Sequence, residues 1–472
     1  MDSREVAFDI LKNIEENDAY VGEILGKALR RMQFSSKQDR SFITRLVEGT
    51  VERKLTLDFL IEKFSKKKGG SKSASGKGNP LDVQIMIRMG IYQIRYMDSV
   101  PDRAAISETV DMAKNKGYSG LAGYINALLR NISRAVQENK LDSFVVSRME
   151  SRYSTPEWLC TFLSETYGKD KAKLILEDQF AEHDTVIRVN RIKTTVDELK
   201  EKLLSRGITV GEPAIYEGSL RISGYDQITR IPGYKEGEFT VQDETSSYTV
   251  SRAGIKPGNT VLDICSSPGG KSLLAYELAY GDSKCGKIIS RDISDSKLEK
   301  IRENAERLGI PLIDLERRKI SKENKSEESS KYIGNIQPGI NIEVWDATEL
   351  DERIAALPDA EKPDVVIADV PCSGLGIIGR KNDIKYHTSL SAMQELADQG
   401  LEILANAAKY VKMGGRICFS TCTINPGENG DVVRKFLEMQ KESGERQFEI
   451  VEEKTFLQGI DGSDGFYYCI LS

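Results

Sequence analysis

The spacing of apolar residues divides the chain into three stretches. Up to about residue 140, apolar side chains recur every three or four positions, as at Val6, Ile10, Leu11 and Ile14. This is the period of a helix with one buried face, so we predict a helical domain. A lysine-rich stretch without acids or periodicity, Ser65–Asn79, interrupts the pattern and indicates a flexible loop.

The second stretch, roughly residues 145–240, mixes two periods. Val186–Asn190 and Phe239–Gln242 have the composition of strands, and Thr195–Leu204 has that of a helix ended by Gly207. We predict a small α+β domain that joins the two ends of the chain.

In the third stretch, from about Gly258, short apolar runs alternate with helical patterns. This alternation predicts a parallel sheet with helices on both faces, an α/β fold. A polar stretch from Arg317 to Gly339 breaks the rhythm and is typical of a surface insertion. The predicted strands are Val261–Cys265, Lys287–Ser290, Asp364–Ala368 and Arg416–Ser420, and the predicted helices are Gly269–Ala279 and one between Ser294 and Gly309.

Composition excludes several classes of protein. The 472 residues, 39% of them apolar and 30% charged, suit about two to four globular domains. Apolar runs stay below the roughly 18 residues of a membrane span, and the N-terminus lacks a secretory signal, so we expect a cytoplasmic protein without membrane contact. Seven cysteines without a CxxC pair and only two histidines argue against a disulfide framework, a metal site and histidine acid–base chemistry.

Charge is unevenly distributed along the chain. The net charge is −6, yet residues 1–150 carry 25 basic and 20 acidic side chains, and the rest carries 42 and 53. A net positive charge on the helical stretch, in a chain whose remainder is acidic, is compatible with RNA contact by that stretch.

A glycine turn links the first predicted strand of the α/β stretch to its helix. It reads DICSSPGGK, from Asp263 to Lys271. In such sheets ligands bind outside the carboxyl ends of the strands. The turn lacks the GxGxxG of dinucleotide sites, and Cys265 stands where a phosphate-binding loop needs its first glycine. Both features argue against a dehydrogenase or an ATPase.

Three acids, Asp292, Asp346 and Asp369, end further predicted strands. Because the carboxyl ends of parallel strands share one edge of a sheet, we expect these acids on one rim with the glycine turn. A carboxylate there can accept hydrogen bonds from both hydroxyls of a ribose. Such a rim suits a cationic, ribose-bearing ligand without phosphates, a description that S-adenosylmethionine fits.

Two cysteines, Cys372 and Cys422, fall just past two of the predicted strands, on the same rim. A thiolate in such a place can act as a nucleophile. Carbon 5 of cytosine can attack a sulfonium only after a thiolate has added to carbon 6, and its proton must then be removed. A cysteine pair supplies one group that attacks and one that assists release, without a histidine.

With these motifs the chain resembles the Sun-type 16S ribosomal RNA cytosine-5 methyltransferases, and its first stretch resembles the NusB-type RNA-binding domain. The methyltransferase motifs are VLDICSSPGGKS (Val261–Ser272), DVVIADVPCSGLGIIGRKNDIKY (Asp364–Tyr386) and GGRICFSTCTINPGEN (Gly414–Asn429), supported by VQDETS (Val241–Ser246) and Asp464–Phe466. The NusB-like motifs are RSF (Arg40–Phe42), AISETV (Ala105–Val110) and GYINALLR (Gly123–Arg130).

The resemblance implies a multidomain chain. It comprises an all-α NusB-like RNA-binding domain over 1–142, a small α+β joining domain over 143–237 and a Rossmann-like α/β methyltransferase domain over 238–472. The implied function in rRNA processing is transfer of a methyl group from S-adenosylmethionine to carbon 5 of a specific cytosine in 16S ribosomal RNA. We expect the enzyme to be a monomer.

The resemblance also implies a role for each residue of the rim. Cys422 is the nucleophile for carbon 6, and Cys372 assists release of the product. Asp292 holds the ribose, Asp346 lies at the adenine end, and Asp369 lies between cofactor and base. The residues that wrap the methionine part of the cofactor are Cys265, Ser266, Ser267, Pro268, Gly269, Gly270 and Lys271.

Two alternatives stay open at this point. One is a cytosine-5 methyltransferase that acts on another RNA, such as transfer RNA. The other is a non-catalytic RNA-binding factor, against which the presence of both cysteines and all three acids argues.

Overall fold

The computed structural model describes residues 2–32, 36–65, 79–281, 285–315 and 332–472. Their contacts group them into two compact units. The first comprises the chain up to Phe180 together with Ile378–His387, and the second comprises Ala181–Ile377 and Thr388–Ser472. The predicted division into 1–142, 143–237 and 238–472 stays a prediction.

The first unit is helical, as predicted. Its central helix, Leu81–Tyr96, is buried without interruption from Ile85 to Ile94, because its apolar residues cover every side rather than one face. The helices, named in chain order, are α1 (Ser3–Asn17), α2 (Val21–Arg31), α3 (Lys37–Glu52), α4 (Lys54–Ser65), α5 (Leu81–Tyr96), α6 (Asp102–Asn115), α7 (Ala122–Gln137), α8 (Leu141–Val145), α9 (Met149–Tyr153), α10 (Glu157–Tyr167) and α11 (Lys169–Asp178).

A short segment from the methyltransferase part of the sequence completes this unit. Asp383 accepts a hydrogen bond from the backbone N–H of Val21, at the start of α2, at 2.6 Å. Lys385 lies in the short helix Ile384–His387, and its Nζ donates to the carbonyl of Glu52 at 3.0 Å and to Oε1 of Gln179 at 2.7 Å. Burial lowers the pKa of Lys385 to about 7.

The second unit contains a small antiparallel sheet, which confirms the predicted α+β part. Its strands are β1 (Thr185–Val189), β2 (Thr209–Gly211), β3 (Ser219–Ser223) and β4 (Phe239–Val241), in the order β2-β3-β1-β4. Helix α12 (Val196–Leu204) begins at a capping box formed by Thr195 and Glu198 and buries Leu199 and Leu203 in the same core.

The larger sheet of this unit has the order β11-β12-β10-β9-β5-β6-β8-β7 within the described residues. Its strands are β5 (Thr260–Asp263), β6 (Lys287–Asp292), β7 (Leu312–Asp314), β8 (Gly339–Val344), β9 (Val365–Asp369), β10 (Arg416–Thr421), β11 (Ile450–Phe456) and β12 (Phe466–Leu471). The strands from β10 to β7 in that order are parallel, as predicted.

Helices cover both faces of this sheet, which confirms the predicted Rossmann-like layering. One apolar cluster contains residues of α13 (Glu244–Arg252), α14 (Gly270–Ala279) and α15 (Asp295–Leu308). The other contains residues of α16 (Leu390–Tyr410) and α17 (Gly430–Ser443). A further short helix, Glu352–Ala355, follows β8.

Two expectations about this sheet are corrected. It is not entirely parallel, because β12 runs antiparallel to β10 and to β11. Antiparallel strands need only a turn between them, so the strand–helix rhythm gives no sign of this pair. In the predicted surface insertion Arg317–Gly339, residues up to 331 lie outside the described part, but Tyr332 and Ile336 are buried. Most of the predicted loop Ser65–Asn79 also lies outside the described residues.

Candidate active site

The strand order places the predicted site residues along one rim of the large sheet. Cys422 follows β10, Asp369 ends β9, and Cys372 lies three residues beyond it. The glycine turn follows β5, Asp292 ends β6, and Asp346 follows β8. We call Asp369, Cys372 and Cys422 the cysteine end, and Asp292 and Asp346 the acid end. The glycine turn lies between them, at the end of β5. The later strands of the sheet are added on both sides of β5, on one side from β9 and on the other from β6. Ligands of such sheets usually bind at this point of the strand order.

The glycine turn is fastened to the end of β6. The backbone N–H and the Oγ of Ser266 both donate to the carbonyl of Arg291, at 2.8 and 2.9 Å. The N–H of Ser267 donates to Oδ2 of Asp292 at 2.9 Å. Gly269 has a φ of +104°, and a Cβ there would lie 3.0 Å from Ile301, so only glycine fits without strain.

The two residues of the acid end are held by their own turns. Besides Ser267, Asp292 accepts from the N–H of Ile293 at 2.8 Å and pairs with Nζ of Lys297 at 3.1 Å. Asp346 accepts from the N–H and the hydroxyl of Thr348, at 3.0 and 2.7 Å. These contacts fix each carboxylate independently of the other.

Asp263 lies beneath the turn and is fully buried. Its Oδ2 accepts from the hydroxyl of Ser272 at 2.6 Å, whereas its Oδ1 has no hydrogen-bond partner within the described part of the chain. Burial raises the pKa of Asp263 to about 7, although the bond from Ser272 and the charge of Lys271 oppose the shift.

At the cysteine end, Lys271 and Asp369 form an ion pair. The Lys271 Nζ lies 2.7 Å from Oδ2 of Asp369, and the hydroxyl of Ser420 donates to Oδ1 at 2.7 Å. Burial alone would lower the pKa of Lys271, but the carboxylate of Asp369 outweighs it and the net pKa is raised. Lys271 therefore stays an ammonium and holds the Asp369 carboxylate in place.

The two cysteines of the rim meet. Their Sγ atoms are 3.3 Å apart, and both side chains are partly exposed. The hydrogen bond with Cys422 raises the pKa of Cys372, and burial raises it further, so Cys372 holds its proton as a thiol.

A cavity of about 330 Å³ opens between the glycine turn and the cysteine end. Among the predicted site residues it is lined by Cys265, Ser266, Ser267, Pro268, Gly270, Lys271, Asp369 and Cys422. The described lining does not include Cys372, Asp292 or Asp346. Cys422 therefore faces the cavity with Cys372 beside it, and the acid end lies farther along the rim.

Sequence reasoning assigned no role to several lining residues. Gln242, Asp243 and Ser246 come from the end of β4 and the start of α13, and Asn304 comes from α15. Phe466, at the start of β12, has its ring centroid 5.3 Å from Nζ of Lys271. The motifs Val241–Ser246 and Asp464–Phe466 contain several of these lining residues and could have indicated them. No motif in the sequence includes Asn304.

Other cysteines are poor nucleophiles. Burial raises the pKa of Cys265 well above its ordinary value, and the charge of Asp263 adds to the shift. Burial also raises the pKa values of Cys418, Cys160 and Cys469. Of the two cysteines in the described cavity lining, Cys265 and Cys422, burial therefore disfavours Cys265 as a nucleophile.

The described residues contain no helix that is long and apolar enough to cross a bilayer. They also contain no group of three or more His, Cys, Asp or Glu side chains arranged to hold a metal ion.

Three family profiles match the chain in succession. Residues 1–134 match the NusB family, and residues 155–229 match the ferredoxin-like domain of RsmF/B-like methyltransferases. Residues 254–472 match the profile described as 16S rRNA methyltransferase RsmB/F.

Relatives match over nearly the full length. The probable ribosomal RNA small subunit methyltransferase B of Synechocystis is 32% identical over 95% of this chain and 91% of its own. The protein of the same name in Bacillus subtilis is 30% identical over 99% of this chain and 97% of its own. The crystal structure of PH0851 shares the fold, with a TM-score of 0.73 at 19% identity over 100% of this chain and 99% of its own. The chain belongs to the RsmB/F methyltransferase family and is an S-adenosylmethionine-dependent RNA methyltransferase.

Proposed function

We propose that the protein methylates carbon 5 of a specific cytosine in 16S ribosomal RNA through a covalent bond between Cys422 and carbon 6. The observation that carries this proposal is the cysteine pair. Two Sγ atoms lie 3.3 Å apart at the edge of the cavity that also contains the glycine turn and the Lys271–Asp369 pair. Methylation of an exocyclic nitrogen or a ribose hydroxyl would need neither thiol.

The glycine turn and the acid end fit S-adenosylmethionine. Gly270 lets the turn approach Gln242 closely, since a Cβ there would lie 3.0 Å from that side chain. Each carboxylate oxygen accepts two hydrogen bonds, so Oδ2 of Asp292, which accepts one from Ser267, retains capacity for a ribose hydroxyl. Cys265–Lys271 would hold the methionine part, and Asp346 would lie at the adenine end. When bound, the cofactor supplies an electrophilic methyl group on a sulfonium.

Side chains of the protein carry out the remaining steps. The Cys422 thiolate adds to carbon 6, and the electrons of the 5,6 double bond make carbon 5 a nucleophile. The Asp369 carboxylate, which Lys271 and Ser420 hold in place, would hydrogen-bond the cytosine ring. After methylation, Cys372 assists removal of the proton from carbon 5. The double bond then re-forms, and the bond between carbon 6 and sulfur breaks.

Two observations support this assignment of the cysteines. Cys422 lines the cavity, whereas Cys372 lies behind it at hydrogen-bond distance. The pKa of Cys372 is raised by its contact with Cys422 and by burial, which favours its protonated form, and a thiol is a poorer nucleophile than a thiolate. We therefore assign the attack to Cys422.

The RNA substrate is inferred from the relatives and from the helical unit. The relatives are named for the RNA of the small ribosomal subunit, and residues 1–134 match the NusB family. The target base has to leave any helical stack to reach the cavity. The helical unit would position the RNA, mostly through phosphate contacts and shape.

The test is to incubate the protein with labelled S-adenosylmethionine and 16S RNA, with transfer RNA as a parallel substrate, and to map the label. We expect 5-methylcytosine at one position of 16S RNA and no label in transfer RNA. Label on another atom, or in transfer RNA alone, would contradict the proposal.

A further inference from the structure

The loops that carry the two cysteines are tied together by one buried carboxylate. Glu428 closes the short turn Pro426–Glu428, four residues beyond Ile424, and is 2% exposed. Its Oε2 accepts from the backbone N–H of Ser373, the residue directly after Cys372, at 2.6 Å. Its Oε1 accepts from the Ser373 hydroxyl at 2.6 Å and from the Asn425 amide at 2.9 Å.

The hydrogen bonds around this carboxylate run in one direction. The N–H of Asn425 donates to the hydroxyl of Thr423 at 3.2 Å. The Thr423 hydroxyl lies 2.9 Å from the hydroxyl of Ser373. Ser373 in turn donates to Glu428. An ionised carboxylate only accepts hydrogen bonds, so it fixes the direction of the whole chain of donors. Thr423 is the residue directly after Cys422, so the chain links the neighbours of both cysteines.

A second contact holds the same loops at close range. The N–H of Gly376 donates to the carbonyl of Cys422 at 3.1 Å. A Cβ at Gly376 would lie 2.8 Å from that carbonyl oxygen, so the backbones approach as closely as glycine allows. This contact fixes the backbones, and the Glu428 network fixes the residues beside each thiol.

We propose that Glu428 is a positioning residue, which sets the separation of the Cys372 and Cys422 sulfurs by holding Ser373 against the loop that follows Cys422. This inference rests on the proposed roles of the two cysteines. Glu428 itself touches neither sulfur in the contacts above, so it acts through Ser373. Its neutral isostere, glutamine, replaces one acceptor oxygen with a donating NH₂ group, which opposes the N–H or the hydroxyl of Ser373.

Disulfide formation measures the separation of the sulfurs without RNA or cofactor. Diamide accepts two electrons and two protons as the two thiols join in one S–S bond. The linked peptide containing Cys372 and Cys422 can be followed by mass spectrometry. The Glu428 charge adds to the raised pKa of Cys372, so its loss alone would lower that pKa and speed the reaction. A slower reaction in Glu428→Gln therefore reports geometry.

We expect Glu428→Gln to slow formation of this disulfide at least about tenfold and to lower kcat for methyl transfer about 10²-fold, with little change in KM for S-adenosylmethionine. The matched control is Glu343→Gln. Glu343 lies in β8 and is 1% exposed. It accepts from the hydroxyl of Tyr332 at 3.1 Å and pairs with Arg353 at 2.7 Å, away from the cysteine loops. This control should lose stability but keep the parent's disulfide rate and kcat.

Three results would overturn the inference: no disulfide in the parent protein, a parent-like rate in Glu428→Gln, or an equal slowing in Glu343→Gln. If Glu428→Gln does not fold, Ser373→Ala decides in the same assay, because it removes the hydroxyl donor and keeps the backbone. A slower rate there supports the inference, and the parent rate overturns it. A parent without cytosine-5 activity but with the expected disulfide rates would refute the proposed function and leave the positioning role intact.

Discussion

The cysteine end and the acid end occupy the same rim but are held in different ways. At the cysteine end, side chains from two loops bind each other, as Glu428 does with Ser373 and Lys271 with Asp369. At the acid end, Asp346 is satisfied by Thr348 two residues away, and Asp292 by its own turn and the glycine turn. The loops of the cysteine end are fixed to each other, whereas the two carboxylates of the acid end are each held by separate partners.

This difference predicts different kinetic signatures for the two ends. Changes at the cysteine end should lower kcat, because they remove groups that act on the reacting base. Changes at the acid end should raise KM for S-adenosylmethionine, because they remove binding that is the same in the ground state and the transition state.

The largest effect is expected at the nucleophile. Cys422→Ala should lower methyl transfer by more than about 10⁴-fold, because no other group at the cavity can form the bond to carbon 6. Transfer of label from S-adenosylmethionine to 16S RNA measures it. Cys418→Ala is the matched control, since Cys418 is buried in β10, four residues before Cys422, and it should retain activity within about threefold. Substantial activity in Cys422→Ala would refute the role of Cys422 as the nucleophile, and with it the difference expected between the two ends.

The next effect concerns Asp369. We expect Asp369→Asn to lower kcat by about 10²–10³-fold, the usual cost of losing one preorganised electrostatic contact. Steady-state kinetics on 16S RNA measure it. Asp364→Asn, at the other end of the same segment, changes the same functional group away from the rim and should retain kcat. Near-normal turnover in Asp369→Asn would exclude a contact with the cytosine.

A smaller effect, of another kind, is expected at the acid end. Asp292→Asn should raise KM for S-adenosylmethionine about 10–100-fold, the cost of a charge-assisted hydrogen bond of about 1.5–3 kcal/mol, and leave kcat nearly unchanged. Asp314→Asn, at the end of the edge strand β7, which β8 separates from β6, serves as the control. A fall in kcat with an unchanged KM would mean that the two ends do not differ as described.

The smallest effect is on stability, at the buried carboxyl between the ends. The folded pKa of Asp263 is raised to about 7, so the folded protein binds this proton more tightly than the unfolded chain does. Stability from this group is therefore lost as pH rises from about 4 to 7. The free energy of unfolding of Asp263→Asn in urea, relative to that of the parent, should rise over that interval by up to about 1.4 kcal/mol per pH unit.

Asp351→Asn tests the sign of this pH dependence. Burial raises the pKa of Asp351, but Arg291 and Arg353 more than offset it, so its net pKa is lowered. Ionised Asp351 contributes stability at neutral pH, and this contribution is lost as pH falls below about 4. The deficit of Asp351→Asn should shrink there, whereas a parallel trend in both variants would refute the assignment.

The sequence allowed the rim to be predicted but not the contacts that hold it. Strand ends are local features, so Asp292, Asp369 and Cys422 could be placed from apolar runs alone. Glu428 could not be singled out, because its partner Ser373 is 55 residues away in sequence. Lys271 was expected at the methionine of the cofactor, and its pairing with Asp369 depends on β5 and β9 being neighbours.

Two larger features also escaped prediction for physical reasons. Strand β12 is an unbroken buried run, which periodicity cannot distinguish from a short helix. The segment Ile378–His387 belongs to the helical unit because of Asp383 and Lys385, whose partners Val21 and Glu52 are more than 300 residues away. Long-range pairing of this kind leaves no local pattern.

The central claim is that Cys422 bonds to the base and Cys372 assists its release. The direct measurement is to incubate Cys372→Ala with 16S RNA and S-adenosylmethionine, denature the mixture, and identify any cross-linked peptide by mass spectrometry. The account predicts an RNA–protein adduct that survives denaturant and is attached at Cys422. Free RNA, or an adduct at any other residue, would contradict it.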